Sequence, residues 1–193
     1  VHLREHQRYN ELLCAQRGYD LEALEGPLRR RMGWVKKNVP AREQLAGTAA
    51  VEHLTAVLAE KALGEDNLFA KAHPAMAKLW KWHAVEEMEH KSVAFDVYRA
   101  IGGTEKMRRA SMRRSTFFLT WDILHGVRHI LSRDGKLWNL KVWASGLVFL
   151  FGREGVLRGT LKPYRDFFRE DFHPWQQDTQ QLIKDWELHQ LSN

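Results

Sequence analysis

Residues 74–101 carry a helical apolar stripe that is interrupted for two turns by acid and imidazole, and few folds can accommodate that pattern. On a wheel of about 100° per residue, Met76, Leu79, Ala94, Val97 and Ile101 share one face. His83, Glu87 and His90 lie in the middle of it, Glu86 at its edge, and Glu89 points away. A carboxylate on a face meant for burial needs a proton, a cation or a metal, because desolvating an unpaired charge is costly. Glu87 and His90 also have the Glu-x-x-His spacing with which helical bundles present two ligands to a metal. The spacing predicts one helix from Pro74 to Ile101, ended by Gly102-Gly103.

The preceding helix should run from Ala41 to Leu63 and end at Gly64. Glu52 lies on a stripe with Leu45, Thr48, Ala49, Ala56, Ala59 and Leu63, mostly small residues that let a neighbouring helix approach closely. Val51, Leu54, Val57 and Leu58 make the other side apolar too, so this helix should be central. A short connection makes the two helices an antiparallel pair, and the midpoint between Glu52 and Glu87 falls in it. The two glutamates are therefore expected at the same level.

The remaining chain is also helical. Residues 1–17 read as one helix, Leu21–Glu25 as a short one, and a further helix follows Pro27 and stops at Pro40. Thr104–Ser132, Leu137–Phe151, Leu161–Phe172 and Gln177–Gln190 complete the series. We find no strand, internal repeat or low-complexity tract, so the expected class is all-α. The organisation expected is a single helical domain over 1–193, with a bundle core at about 1–101 and a helical extension at about 104–193. Eight Trp and nine Phe against five Pro suit aromatic packing between helices. The lone Cys14 excludes an internal disulfide and fits a reducing cytoplasm. A net charge of +6 is a mild excess that permits contact with anionic lipid. The apolar run Val142–Phe151 is about half the ~20 residues a spanning helix needs.

Glu52, Glu87 and His90 admit two readings. They are part of a transition-metal site, since carboxylates and neutral imidazole suit iron, manganese or zinc, or they are a buried hydrogen-bonded network. His83 is a further ligand, a group that orients a ligating carboxylate, or a satisfied core histidine. His2, Glu5 and His6 form another polar cluster, and Asp122, His125 and His129 a third at i, i+3 and i+7. The third reads mainly as core or interface polar residues. The basic run Lys106–Arg114, followed by Phe117, Phe118 and Trp121, reads as a solvated helix start or as an interfacial segment over 106–121. No nucleic-acid motif accompanies the charge.

Three stretches carry a family likeness. Ala50-Val51-Glu52-His53-Leu54-Thr55-Ala56, residues 80–98 around Trp82-His83-Ala84-Val85-Glu86-Glu87-Met88-Glu89-His90-Lys91, and Phe172-His173-Pro174-Trp175 resemble the bacterial proteins described as predicted metal-dependent hydrolases. That family is similar to ferritin-like di-metal carboxylate bundles, which take one Glu from each of two helices and a Glu-x-x-His from each of two others. The resemblance implies a ferritin-like antiparallel bundle with metal ligands Glu52, Glu87, His90 and His2. His2 would then close an earlier Glu-x-x-His whose glutamate lies ahead of Val1, so a longer parent chain is expected. The cofactor the resemblance implies is a divalent transition metal (iron, manganese or zinc), as one ion or a dinuclear pair. Glu86 is the expected proton acceptor in metal-assisted hydrolysis. A ferritin-like di-iron oxidase or oxygenase is the alternative chemistry, and a metal-free helical scaffold on a membrane surface is the alternative class. The expected partners are a small-molecule substrate, a peripheral membrane contact through helix 106–121 and a second copy in a homodimer. The expected location is cytoplasmic or membrane-peripheral.

Overall fold

The computed structural model describes residues 2–64, 68–69 and 72–191, and of these the side chains of 2, 3, 5 and 189–191 are left aside. The fold is all-α, with no strand among the described residues. The elements are α1 (His2–Arg17), α2 (Leu21–Asn38), α3 (Ala41–Gly64), α4 (Pro74–His90), α5 (Val93–Ala100), α6 (Glu105–Arg133), α7 (Leu140–Phe151), α8 (Leu161–Asp166), a 3-10 turn (Pro174–Gln176) and α9 (Gln180–Leu191). The chain divides into two compact units, Val1–Pro40 with Phe117–Ala144, and Ala41–Thr116 with Ser145–Asn193.

In the first unit, α2 is one continuous helix with Pro27 inside it, where two segments were expected. Asp20 caps it, its Oδ1 accepting from Ala23 N at 3.1 Å. Proline has no N–H to give the carbonyl four residues back, which here is Ala23 O. That carbonyl is satisfied by His125 Nε2 at 3.2 Å, so the helix tolerates its proline. Asp122 takes Arg31 in a two-point ion pair, and His129 Nε2 accepts from Asp20 N at 3.1 Å. The Asp122–His125–His129 series is thus a clamp on α2, each member having its own partner.

The second unit is built on α3. Its alanines let neighbours close in: Ala49 and Ala50 share a core with Ala94, Phe95, Met112, Phe167 and Phe172. Ala59 shares another with Ala84, Val85 and Met88. Low-numbered α3 residues therefore meet high-numbered partners, which makes the pairing antiparallel as expected. The helix expected over 74–101 is broken at Lys91-Ser92 into α4 and α5. Ala84, Met88, Phe95 and Tyr98 recur at helical spacing on one inward face with Val85 beside them, while Leu79, Val97 and Ile101 of the expected stripe are exposed. At the end of α5, a Cβ on Gly103 would lie 2.3 Å from Tyr98 Cζ. Only glycine lets the ring lie there with its hydroxyl donating to Thr104 O at 2.7 Å.

The segment after α8 is held by buried polar groups. Arg108 is fully buried; it donates to the carbonyls of Phe167 and of Arg169 (2.6 Å) and pairs with Glu105. Its guanidinium lies 4.8 Å from the Phe167 ring centroid. His53 is 1 % exposed, packs against Phe167 and Phe172, and lies 3.0 Å from Pro163 O through Nε2. Burial, then the positive charges of Arg108 and Lys91, press its pKa down to about 4, against the hydrogen bond to Pro163.

Removing one partner from a buried charged network costs about 3–5 kcal/mol, so Arg108→Ala should lower the unfolding free energy by about 3 kcal/mol in urea titrations. A loss below about 1 kcal/mol would mean the guanidinium does not anchor the 167–169 carbonyls. His53 supplies a pH signature. The unfolded chain takes up a proton there near pH 6.5 and the folded chain not until about pH 4, so acidification across that window favours unfolding. The wild type should lose about 3 kcal/mol more than His53→Gln between those pH values; parallel stability curves would contradict a buried neutral imidazole.

Candidate metal centre

Glu52 projects from the middle of α3 and is partly buried. Its Oε2 accepts from Ala94 N at 3.1 Å. Ala94 is the second residue of α5, whose preceding residue Ser92 makes no side-chain cap. Glu52 therefore caps α5 from another helix, using a donor that α5 cannot satisfy itself and placing negative charge at the positive end of its dipole. This contact accounts for the break in the expected helix. An uninterrupted helix would commit the Ala94 N–H to the carbonyl four residues back, whereas the break frees it for the carboxylate.

The same geometry corrects the registry. Glu52 stands level with the α4–α5 junction, and Glu87 lies further back along α4. Glu87 and His90 still act on it. Burial raises the Glu52 pKa first, the Ala94 hydrogen bond opposes that, the negative charge of Glu87 raises it further, and His90 lowers it. Two carboxylates and an imidazole thus share one electrostatic neighbourhood on the α3–α4 face.

On α4 the pairing is by one-turn spacing. His83 Nε2 lies 3.7 Å from Glu87 Oε1, both side chains about one-quarter exposed. His90 Nε2 lies 4.0 Å from Glu86 Oε2, with His90 66 % exposed. The expectation of a buried polar interruption is corrected accordingly: the face is half-open, and His90 closes the helix at its surface. Trp80 meets the His83 ring edge-on at 5.6 Å between centroids. His2 opens α1, and its side chain lies outside the described residues.

The donor chemistry suits a divalent transition metal: carboxylate and imidazole, with one carboxyl group held above its ordinary pKa and a second carboxylate acting on it. The ligand set is not closed, since no group of three or more His, Cys, Asp or Glu side chains converges on one point among the described residues.

A second polar cluster escaped the sequence pattern. Lys91, a charged residue in the inward series Ala84, Met88, Phe95 and Tyr98, is 2 % exposed. Its Nζ donates to Gln177 O at 2.5 Å and Thr179 Oγ1 at 2.9 Å and lies 4.9 Å from the Trp175 ring centroid. Burial pulls its pKa down against the negative charges of Glu60 and Asp178, while burial raises that of Glu60. The Phe172-His173-Pro174-Trp175 stretch serves this docking. His173 Nδ1 accepts from Trp175 N at 3.2 Å and its Nε2 meets Asp96 Oδ1 at 2.8 Å. The available signal was that motif, an aromatic turn with a polar residue needing a partner. A separate pocket of about 330 Å³ is lined by Glu60, Lys162, Asp166, Arg169 and Gln177 among others, and neither Glu52, Glu87 nor His90 lines it.

The capping role separates two variants of one residue. Glu52→Gln keeps an oxygen for Ala94 N and removes a charge that burial disfavours, whereas Glu52→Ala leaves α5 uncapped. Without metal, the Ala variant should be less stable than the Gln variant by about 1 kcal/mol. Because the folded Glu52 pKa is raised, wild-type stability should also decline relative to Glu52→Gln as pH rises through the titration of that carboxyl group. Equal stabilities in denaturant titration across pH would remove both assignments.

A family model described as predicted metal-dependent hydrolase matches residues 1–178. No curated protein and no solved structure matches the chain.

Proposed function

The chain belongs to the predicted metal-dependent hydrolase family, and on that premise we propose that Glu52, Glu87 and His90 are its metal-binding residues in hydrolysis of a small molecule. The Glu52 carboxyl carries the reading: Ala94 N fixes its Oε2 on the α4–α5 side of α3, burial and the Glu87 charge both disfavour its ionisation, and a bound cation would relieve both. Glu52, Glu87 and His90 would hold a divalent ion, which would supply Lewis acidity toward a carbonyl or phosphoryl oxygen.

The protein's own groups have distinct parts. The Ala94 N–H fixes Glu52 Oε2. His83, 3.7 Å from Glu87 Oε1, orients that carboxylate as a supporting partner. Glu86, about one-third exposed and beside His90, would accept the proton at its carboxylate. The half-open face gives a substrate access to these groups. A glutamate-rich donor set also suits di-iron oxidation in a ferritin-like bundle; family membership favours hydrolysis.

Metal content after loading with Fe(II), Mn(II) or Zn(II) and gel filtration tests the reading. Wild-type protein should retain a stoichiometric ion, His83→Ala should bind about tenfold more weakly, and Glu87→Ala should lose more than that. Retention unchanged in Glu52→Gln and Glu87→Ala would place the metal elsewhere. An oxygen-dependent visible absorption in the iron form would favour the oxidative chemistry, whereas ester or phosphate turnover without such a change supports hydrolysis.

A further inference from the structure

Helix α7 has its apolar face on the outside. Leu140, Ala144, Leu147, Val148 and Phe151 recur at i, i+4, i+7, i+8 and i+11, the spacing of a single helical face. That face is exposed, Leu140 by 81 %, Leu147 by 59 %, Val148 by 68 % and Phe151 by 65 %, and Phe149 on the other side is 58 % exposed as well. No residue of α7 is buried. Just ahead of it, the Trp138 side chain is 89 % exposed. Single exposed apolar residues are ordinary, but a whole exposed face at helical spacing marks an interaction surface.

Charge identifies the partner. Between residues 136 and 162 stand Lys136, Lys141, Arg153, Arg158 and Lys162 against the single acid Glu154. An apolar face with basic residues at its ends and edge, and an exposed tryptophan beside it, matches the layers of an anionic bilayer surface. A second copy seated on the same face would bring the two basic sets together, which disfavours self-association. The helix has 12 residues, and no helix among the described residues is long and apolar enough to cross a membrane. We propose that α7 inserts its Leu140–Phe151 face into the headgroup–acyl boundary of an anionic bilayer while Lys136, Lys141, Arg153 and Arg158 engage lipid phosphates.

This locates the contact after the basic run of α6. There Arg108 is fully buried, Arg109 Nη2 lies 3.6 Å from Glu170 and Arg114 Nη2 lies 3.5 Å from Glu43. Much of that positive charge is already engaged within the protein.

Vesicle flotation of the purified protein tests the proposal. Wild type should float with phosphatidylcholine vesicles that contain phosphatidylserine, and do so less as salt is raised. Leu147→Asp combined with Val148→Asp, at exposed positions that leave the circular dichroism unchanged, should reduce flotation roughly tenfold. Lys141→Glu combined with Arg153→Glu should abolish the preference for anionic over neutral vesicles. Failure of wild type to float with anionic vesicles overturns the proposal. So does equal flotation of the Leu147→Asp, Val148→Asp variant. A dimer in sedimentation that this variant converts to monomer, with no vesicle binding, would assign the face to a second copy instead.

Discussion

The hydrogen bond from Ala94 N to Glu52 Oε2 joins the fold to the candidate chemistry. A carboxylate in the middle of a central helix must have its charge answered, and an α5 whose own N-cap residue offers no side-chain bond must have its first donors answered. Each need meets the other. The price is one long helix divided at Lys91-Ser92. At the division Lys91 reaches the 177–179 carbonyl and hydroxyl, and Ala94, Phe95 and Tyr98 follow on the inside.

Buried cations then order the later part of the second unit. Arg108 collects the carbonyls of Phe167 and Arg169, where the chain leaves α8 and has no helical partner for them. Lys91 does the same for Gln177. The aromatic rings of Phe95, Phe167 and Phe172 pack around the Arg108 guanidinium, which favours a delocalised cation more than a compact ammonium. Irregular backbone lies against helices here because long cationic side chains supply the missing donors.

The long alanine-rich α3, the antiparallel α3–α4 pair and the all-α class follow from spacing and were legible as such. So was Glu52 as a charge needing a partner. What periodicity could not reveal was the kind of partner, since a backbone N–H leaves no mark in a side-chain pattern. The single-helix reading of 74–101 failed for that reason. The inward placement of Leu79, Val97 and Ile101 failed separately, because the face that packs is the one carrying Ala84, Met88, Phe95 and Tyr98. Pro27 misled in the same way: a proline breaks a helix unless something else satisfies the carbonyl it frees, and His125 lies about a hundred residues away in sequence. Burial of Lys91 and Arg108 was hidden because charged residues are read as solvated unless their partners are known.

The candidate centre therefore rests on a carboxylate that the protein holds in place but discourages from ionising. Its direct test is proton release on metal binding, obtained by isothermal titration with Zn(II) at mildly acidic pH in two buffers of different ionisation enthalpy. If Glu52 is a ligand, wild-type protein releases more protons than Glu52→Gln, because binding requires the ionised carboxylate that burial disfavours. Equal affinity and equal proton release in the two proteins would contradict the assignment.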